Sequence, residues 1–178
     1  MKENQRVRIT KMMLKSSLVD LMKTKSIFKI SIKEICEKAE MNRSTFYKYY
    51  NTEFDLLKDI ENEYLLTIET YISQINNENV LTKLLEYVID NIEVFKLFLN
   101  EIPENSFFEK LIEMCLENMA YQKVIIKDER KNSNEYLYKF IIFGSLSVVK
   151  NWISKENREL PSEMNDIMMN ILGKFLRQ

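Results

Sequence analysis

Residues 31–50 read SIKEICEKAEMNRSTFYKYY, and this stretch decides the fold. Ser31-Ile-Lys-Glu34 is a capping box: the serine hydroxyl accepts from the amide three residues on, while the glutamate reaches back to the N-cap amide. Ile30 and Ile35 stand at the N′ and N4 positions of a hydrophobic staple, so a helix starts here with a fixed approach of the chain. Ile32, Ile35, Cys36 and Ala39 continue its apolar face until the pattern breaks at Glu40-Met41. Asn42 then offers an N-cap for a second short helix, Arg43 to Tyr49. Phe46 and Tyr50 share a core side with Met41. Ser44, Thr45 and Lys48 lie roughly opposite, and Arg43 and Tyr47 flank them. A helix this short is unstable alone, so its aromatic side must be buried against neighbours. The face left outside carries hydroxyls, a phenol and cations, which suit phosphates and base edges. Two capped helices joined by a three-residue turn at 40–42 have the layout of a helix-turn-helix.

Working outward, residues 6–23 predict a supporting helix, with Leu14, Leu18, Leu21 and Met22 at helical spacing and small Ser17 on the same stripe. Thr52-Glu-Phe-Asp55 caps a long fourth helix through about Ile75. The rest reads as helices only: Val80 to Asn91, Glu93 to Asn100 before Pro103, a capping box at Ser106-Phe-Phe-Glu109 opening a helix to about Lys127, Glu135 to Ser154, and Ser162 to Leu176 after Pro161. The polar stretch 128–134 predicts an exposed loop. The expected fold is therefore all-α, with about nine helices. Residues 1–51 form a helix-turn-helix head, and residues 52–178 a larger regulatory and dimerising domain.

Composition narrows the function. The 178 residues include two glycines, two prolines and no histidine. Sheets need turn residues at short intervals, so all-β and doubly wound α/β folds are nearly excluded, and glycine-rich phosphate loops cannot be built. Without histidine there is no Ser/His/Asp or Cys/His catalysis and no histidine-ligated zinc. The chain is not expected to be an enzyme, and no cofactor or metal is expected. Glu109, Glu113 and Glu117 align at i, i+4, i+8 but lack an ExxH partner, so they read as a solvated face. Cys36 and Cys115 have no redox or metal spacing, consistent with a reducing compartment. The charged N-terminus has no signal-peptide core. The longest uncharged apolar run, Phe140 to Val149, is far short of the ~20 residues of a membrane span. A cytoplasmic protein working by binding is expected.

Charge points the same way, although solvated helix faces can also be lysine-rich. Residues 1–50 carry twelve Lys/Arg against five Asp/Glu, a net of +7, while residues 51–178 carry fourteen against twenty-two, a net of −8. A basic head on an acidic body is the electrostatic footprint of nucleic-acid binding.

The run IKEICEKAEMNRSTFYKYYNTEFDLL, residues 32–57, resembles the DNA-binding domain of the TetR/AcrR family of bacterial transcriptional regulators. The likeness covers about residues 8–60. It rests on the isoleucine-led second helix, Ala39, Met41, Thr45-Phe46-Tyr47, the pair Tyr49-Tyr50, and Leu56-Leu57. It implies double-stranded operator DNA as partner. Base contacts fall to Arg43, Ser44, Thr45, Tyr47 and Lys48, and phosphate contacts to Ser31, Lys33, Asn42 and Tyr49. Two positions depart from the family pattern. Glu40 stands where the turn usually has glycine, and glutamate tolerates positive φ poorly. Glu53 stands where a phosphate-touching lysine is common, so no contact is carried over there.

The resemblance also implies a homodimer, formed by the last two helices. Ile141, Gly144, Ser145, Val148 and Trp152 make one stripe, and Ile167, Met168, Ile171, Leu172 and Phe175 another; burial within one chain is the competing reading of both. Family members often hold a small hydrophobic inducer. Phe95, Phe98, Phe107, Phe108, Met114, Met119, Tyr121 and Phe140 are the candidate lining for an apolar effector, although residues so spaced are commonly plain core. The expected function is a DNA-binding repressor released by an effector in the second domain. The alternative is a regulator of the same fold that answers to a protein partner, or no longer binds DNA.

Overall fold

The computed structural model describes residues 5–74, 79–100, 106–121 and 133–176. Among these there is no strand. Nine α-helices follow in chain order: α1 Gln5–Met22, α2 Ile32–Lys38, α3 Arg43–Phe46, α4 Glu53–Ile72, α5 Val80–Asp90, α6 Ile92–Asn100, α7 Ser106–Tyr121, α8 Ser133–Ser154 and α9 Pro161–Leu176. A short 3-10 segment, Ile27–Lys29, leads into α2 and has no counterpart in the sequence expectation. The expected loop at 128–134 lies largely outside the described residues. So does the expected end of the α7 helix near Lys127.

The chain divides into two compact units, which part between Tyr64 and Leu65. The first unit takes in the opening turns of α4 as well as residues 1–51, because Leu56, Leu57 and Ile60 are buried with its core. That core joins Leu14, Leu18 and Met22 of α1, Ile27 and Ile30, Ile35 and Cys36 of α2, Ala39, Phe46 and Tyr50. Burying each large apolar side chain contributes about 1.5–3 kcal/mol, which is what holds helices as short as α2 and α3 in place. Ser17 is buried on the same stripe as Leu14 and Leu18. α1 packs on α2, and α2 on α3.

The second unit is built from the remainder of α4 and from α5 to α9. α5 packs on α9, and α7 on α8. An aromatic series forms part of its interior: Tyr71 to Tyr87 at 6.0 Å, Tyr87 to Phe95 at 5.9 Å, Phe95 to Phe107 at 6.3 Å and Phe98 to Phe107 at 4.5 Å between ring centroids. The turn between α8 and α9 is pinned by the Trp152 indole, whose Nε1 donates to the Glu159 carbonyl at 2.9 Å. The Leu160 amide donates to Glu163 at 2.8 Å, which caps α9.

Candidate nucleic-acid interface

The interface is set by how α2 starts and stops. At its start the capping box is complete. The Glu34 amide donates to Ser31 Oγ at 3.3 Å, and the Ser31 amide donates to Glu34 Oε2 at 2.9 Å. Glu34 also pairs with Lys25, and this bond together with those from Ser31 holds its carboxyl down at about 2. At its end, the Met41 amide donates to the Cys36 carbonyl at 2.9 Å and the Glu40 amide to the Glu37 carbonyl at 3.2 Å. This is the Schellman pattern, which requires a left-handed residue between the two bonds. Glu40 supplies it with φ of 53°. The turn thus keeps the conformation that glycine usually provides, with glutamate in its place.

α3 is shorter than expected. It covers Arg43–Phe46 and continues through Tyr49 as hydrogen-bonded turns, with Lys48 N to Thr45 O at 3.3 Å and Tyr49 N to Phe46 O at 2.9 Å. Asn42 occupies the N-cap position in extended backbone, but its side chain does not cap. Phe46 is fully buried and Tyr50 nearly so, as the core side of the helix required, and Met41 is half-buried beside the turn. Phe46 meets Tyr47 edge-on at 5.8 Å and Tyr50 at 5.7 Å.

The residues expected to read bases lie together on the outside of this segment. Arg43, Ser44 and Lys48 are exposed, Tyr47 is 55% exposed, and Thr45 is half-buried. Of the expected phosphate contacts, Asn42 and Lys33 are exposed, Lys33 in a loose pair with Glu37 at 3.6 Å. Tyr49 is half-buried, 6.5 Å from the Tyr50 ring. Ser31 is exposed, but its hydroxyl donates to Glu34 at 2.8 Å, so a phosphate must compete with the cap for it. Glu53 opens α4, whose own capping box is closed by Asp55. That carboxylate accepts from the amides of Asn51 and Thr52, both at 3.0 Å.

One set of residues escaped sequence reasoning. Asp59 of α4 accepts from the Tyr50 hydroxyl at 2.6 Å and pairs with Lys15 of α1 at 3.1 Å. Lys15 also reaches Glu63 at 2.8 Å. Burial works against the charge on both Lys15 and Asp59. The bonds to Glu63 and Asp59 outweigh it for the lysine, whose pKa is raised, and the bonds to Tyr50 and Lys15 outweigh it for the aspartate, whose pKa is lowered. No local pattern marks a pairing across so many residues.

In the second unit the candidate effector lining is split. Phe95, Phe98 and Phe107 are brought together as buried core, while Phe108 packs beside Phe143 at 6.4 Å and Met114 is half-buried. The side chains of Met119 and Tyr121 lie outside the described residues. Phe140 does not join this group. It is 60% exposed and lines an open apolar groove of about 200 Å³ with Ile141, Gly144, Ser145, Val148, Met168, Ile171 and Leu172. Seven of these eight come from the two expected dimerisation stripes. Ile167 is exposed alongside them. Trp152 departs from its stripe: it is 1% exposed and belongs to the unit's own core. The Phe175 side chain lies outside the described residues. Glu109, Glu113 and Glu117 are exposed around a shallow hollow on α7, and no metal-binding group occurs among the described residues. No helix of the described chain is long and apolar enough to cross a membrane.

Known proteins share this fold. Residues 76–174 match a family model described as the transcriptional regulator C-terminal region, of TetR type. The chain is 30% identical over 125 residues to the HTH-type dhaKLM operon transcriptional activator DhaS of Lactococcus lactis subsp. lactis strain IL1403, a match covering 70% of this chain and 65% of that protein. Among solved structures it resembles a TetR transcriptional regulator from Streptococcus agalactiae 2603V, with a TM-score of 0.71 at 16% identity, over 94% of this chain and 96% of the other. It also resembles the dihydroxyacetone kinase operon activator DhaS, with a TM-score of 0.62 at 18% identity, over 95% and 97% of the two chains.

Proposed function

The chain belongs to the TetR family of transcriptional regulators, and from that premise we propose that it binds operator DNA sequence-specifically through its first unit, as a cytoplasmic homodimer. The observation that carries the DNA reading is the exposed cluster Arg43, Ser44, Tyr47 and Lys48 over a buried Phe46. Polar groups able to bond base edges and phosphates are held there on a rigid base, in a segment with a net positive charge. Dimerisation is supported by the apolar groove of α8 and α9, which leaves Ile171 and Phe140 exposed in the single chain. A dimer also suits the short reader, because one reading segment spans too few base pairs for genomic specificity.

The regulator acts as a repressor released by an apolar or aromatic effector in the second unit. What supports an apolar or aromatic ligand is the aromatic character of that unit's interior, where Phe95, Phe98 and Phe107 pack together. Activation is the second reading of its sign, favoured by the relative from Lactococcus lactis, which is named an activator. A protein partner in place of the small effector is the alternative reading of the switch.

A gel-shift titration with promoter fragments of its own and neighbouring genes, against scrambled duplex, tests the DNA reading. Retardation of one promoter fragment at concentrations that leave scrambled DNA free is expected. Equal binding to both, or none, defeats it and leaves the protein-interaction reading. A promoter fusion with and without the gene then fixes the sign. Thermal-shift screening of apolar compounds, followed by operator release, tests the effector.

A further inference from the structure

Three elements of the first unit meet at one carboxylate. The Tyr50 hydroxyl, at the end of the reading segment, donates to Asp59 Oδ2 of α4 at 2.6 Å. Lys15 of α1 pairs with the same oxygen at 3.1 Å and with Glu63, one turn further along α4, at 2.8 Å. Tyr50 in turn touches the buried Phe46 ring, and Phe46 meets Tyr47 edge-on, so the contacts lead from Asp59 to the exposed face. The reading segment has only one turn of α-helix of its own. Burial of Phe46 attaches it to the core, but apolar contact has no direction and permits small rotations. A short hydrogen bond to a carboxylate is directional and weakens steeply when bent.

We propose that Asp59, acting through Tyr50, is a positioning residue for DNA reading: it fixes the angle at which Tyr47 and Lys48 are presented to base edges. Asp59 stays ionised and ready to accept because Tyr50 and Lys15 outweigh its burial. The role rests on the DNA reading above, and it predicts a loss confined to specificity, because Asp59 and Tyr50 are not themselves offered to phosphates.

The test compares wild type, Tyr50→Phe, Asp59→Glu and Lys15→Met for binding to the operator fragment and to scrambled duplex at one salt concentration, with melting temperatures in parallel. Wild type must first prefer the operator; if it does not, the DNA reading fails before any variant is considered. Tyr50→Phe should lower the operator-to-scrambled ratio about tenfold, the size of one lost base contact, while binding to scrambled DNA stays unchanged. Asp59→Glu keeps the charge but moves the acceptor, and should lower the same ratio; it also serves if Tyr50→Phe does not fold. Lys15→Met keeps the Tyr50–Asp59 bond. It should lower the melting temperature and weaken binding to both duplexes alike, with the ratio retained. A wild-type ratio in both Tyr50→Phe and Asp59→Glu overturns the proposal. So does a ratio that falls with melting temperature in all three variants, Lys15→Met included, since that is what a merely structural role gives.

Discussion

Glu40 holds a backbone conformation that its side chain opposes. A left-handed residue other than glycine costs roughly 1–2 kcal/mol, and Glu40 takes φ of 53° because the Schellman bonds from Met41 and its own amide close only there. Glu40→Gly relieves that strain, less the ~0.5–1 kcal/mol of extra chain entropy that glycine loses on folding. The variant should be more stable by about 0.5–1 kcal/mol in urea unfolding. It also removes a carboxylate from a basic surface, so DNA binding should not weaken. Phe46 and Tyr47 separate fold from function in adjacent residues. Emptying the Phe46 site should cost about 3–5 kcal/mol of stability, and binding with it. Tyr47→Ala or Lys48→Ala should leave melting unchanged and cost about 1–3 kcal/mol in operator affinity. At this scale the sequence was readable where side-chain chemistry is local. Phe46 and Tyr50 are recognised as core by helical spacing, and Glu40 as an oddity in the turn. Asp59 was not readable, because its partners Tyr50 and Lys15 come from other helices and only the folded head brings them to one oxygen.

The helices begin where the capping chemistry puts them. Ser31 with Glu34, and Thr52 with Asp55, each close a reciprocal pair of bonds, and these starts were legible to the residue. Ends were less so. α3 stops at Phe46 rather than Tyr49, because single-turn helices relax into turns once side chains are seated in a core, and propensity does not report that. The capping box of α2 has a pH signature. Glu34 sits at about 2 in the fold, against 4.5 as its ordinary value, through Lys25 first and Ser31 second. A carboxyl whose folded pKa is depressed adds stability above its unfolded pKa, and that contribution disappears as pH falls through the folded value. Asp20, lowered by Lys23, and Asp59 act in the same direction. The melting temperature of the first unit should therefore drop between about pH 4.5 and 2. Glu34→Gln should melt lower at neutral pH and show a shallower acid slope, measured by circular dichroism across that range.

At the scale of the molecule the proposed dimer depends on the apolar α8–α9 groove. A Cβ added at Gly144 would meet nothing within 4 Å, so nothing inside the described chain makes use of its small size. Glycine within a helix costs about 1 kcal/mol relative to alanine, and the second copy of the proposed dimer, approaching closely, would give that cost a purpose. Gly144→Ala should therefore raise the stability of the single chain while weakening self-association. Val148→Asp or Ile171→Asp should yield monomers by light scattering, with operator affinity lost along with the dimer. A wild-type monomer at working concentration would defeat this reading. The two heads of a dimer must sit one DNA turn apart, about 34–36 Å, so an effector preferring another spacing releases DNA through its differential affinity alone. The all-α architecture and the two stripes could be read from periodicity. Which stripe residues face inward could not: Trp152 shares the spacing of Val148, yet its indole is consumed by the α8–α9 turn.

That same indole makes the protein its own fluorescent reporter. Trp152 is the only tryptophan in the chain, and it is buried in the second unit beside the turn it pins. Its emission therefore follows the second unit alone, while far-ultraviolet dichroism sums the helices of both units. α4 contributes residues to each unit without a break in the helix, so the two signals should trace one urea transition. Curves that separate would show that the helix melts at its midpoint and lets the first unit unfold on its own.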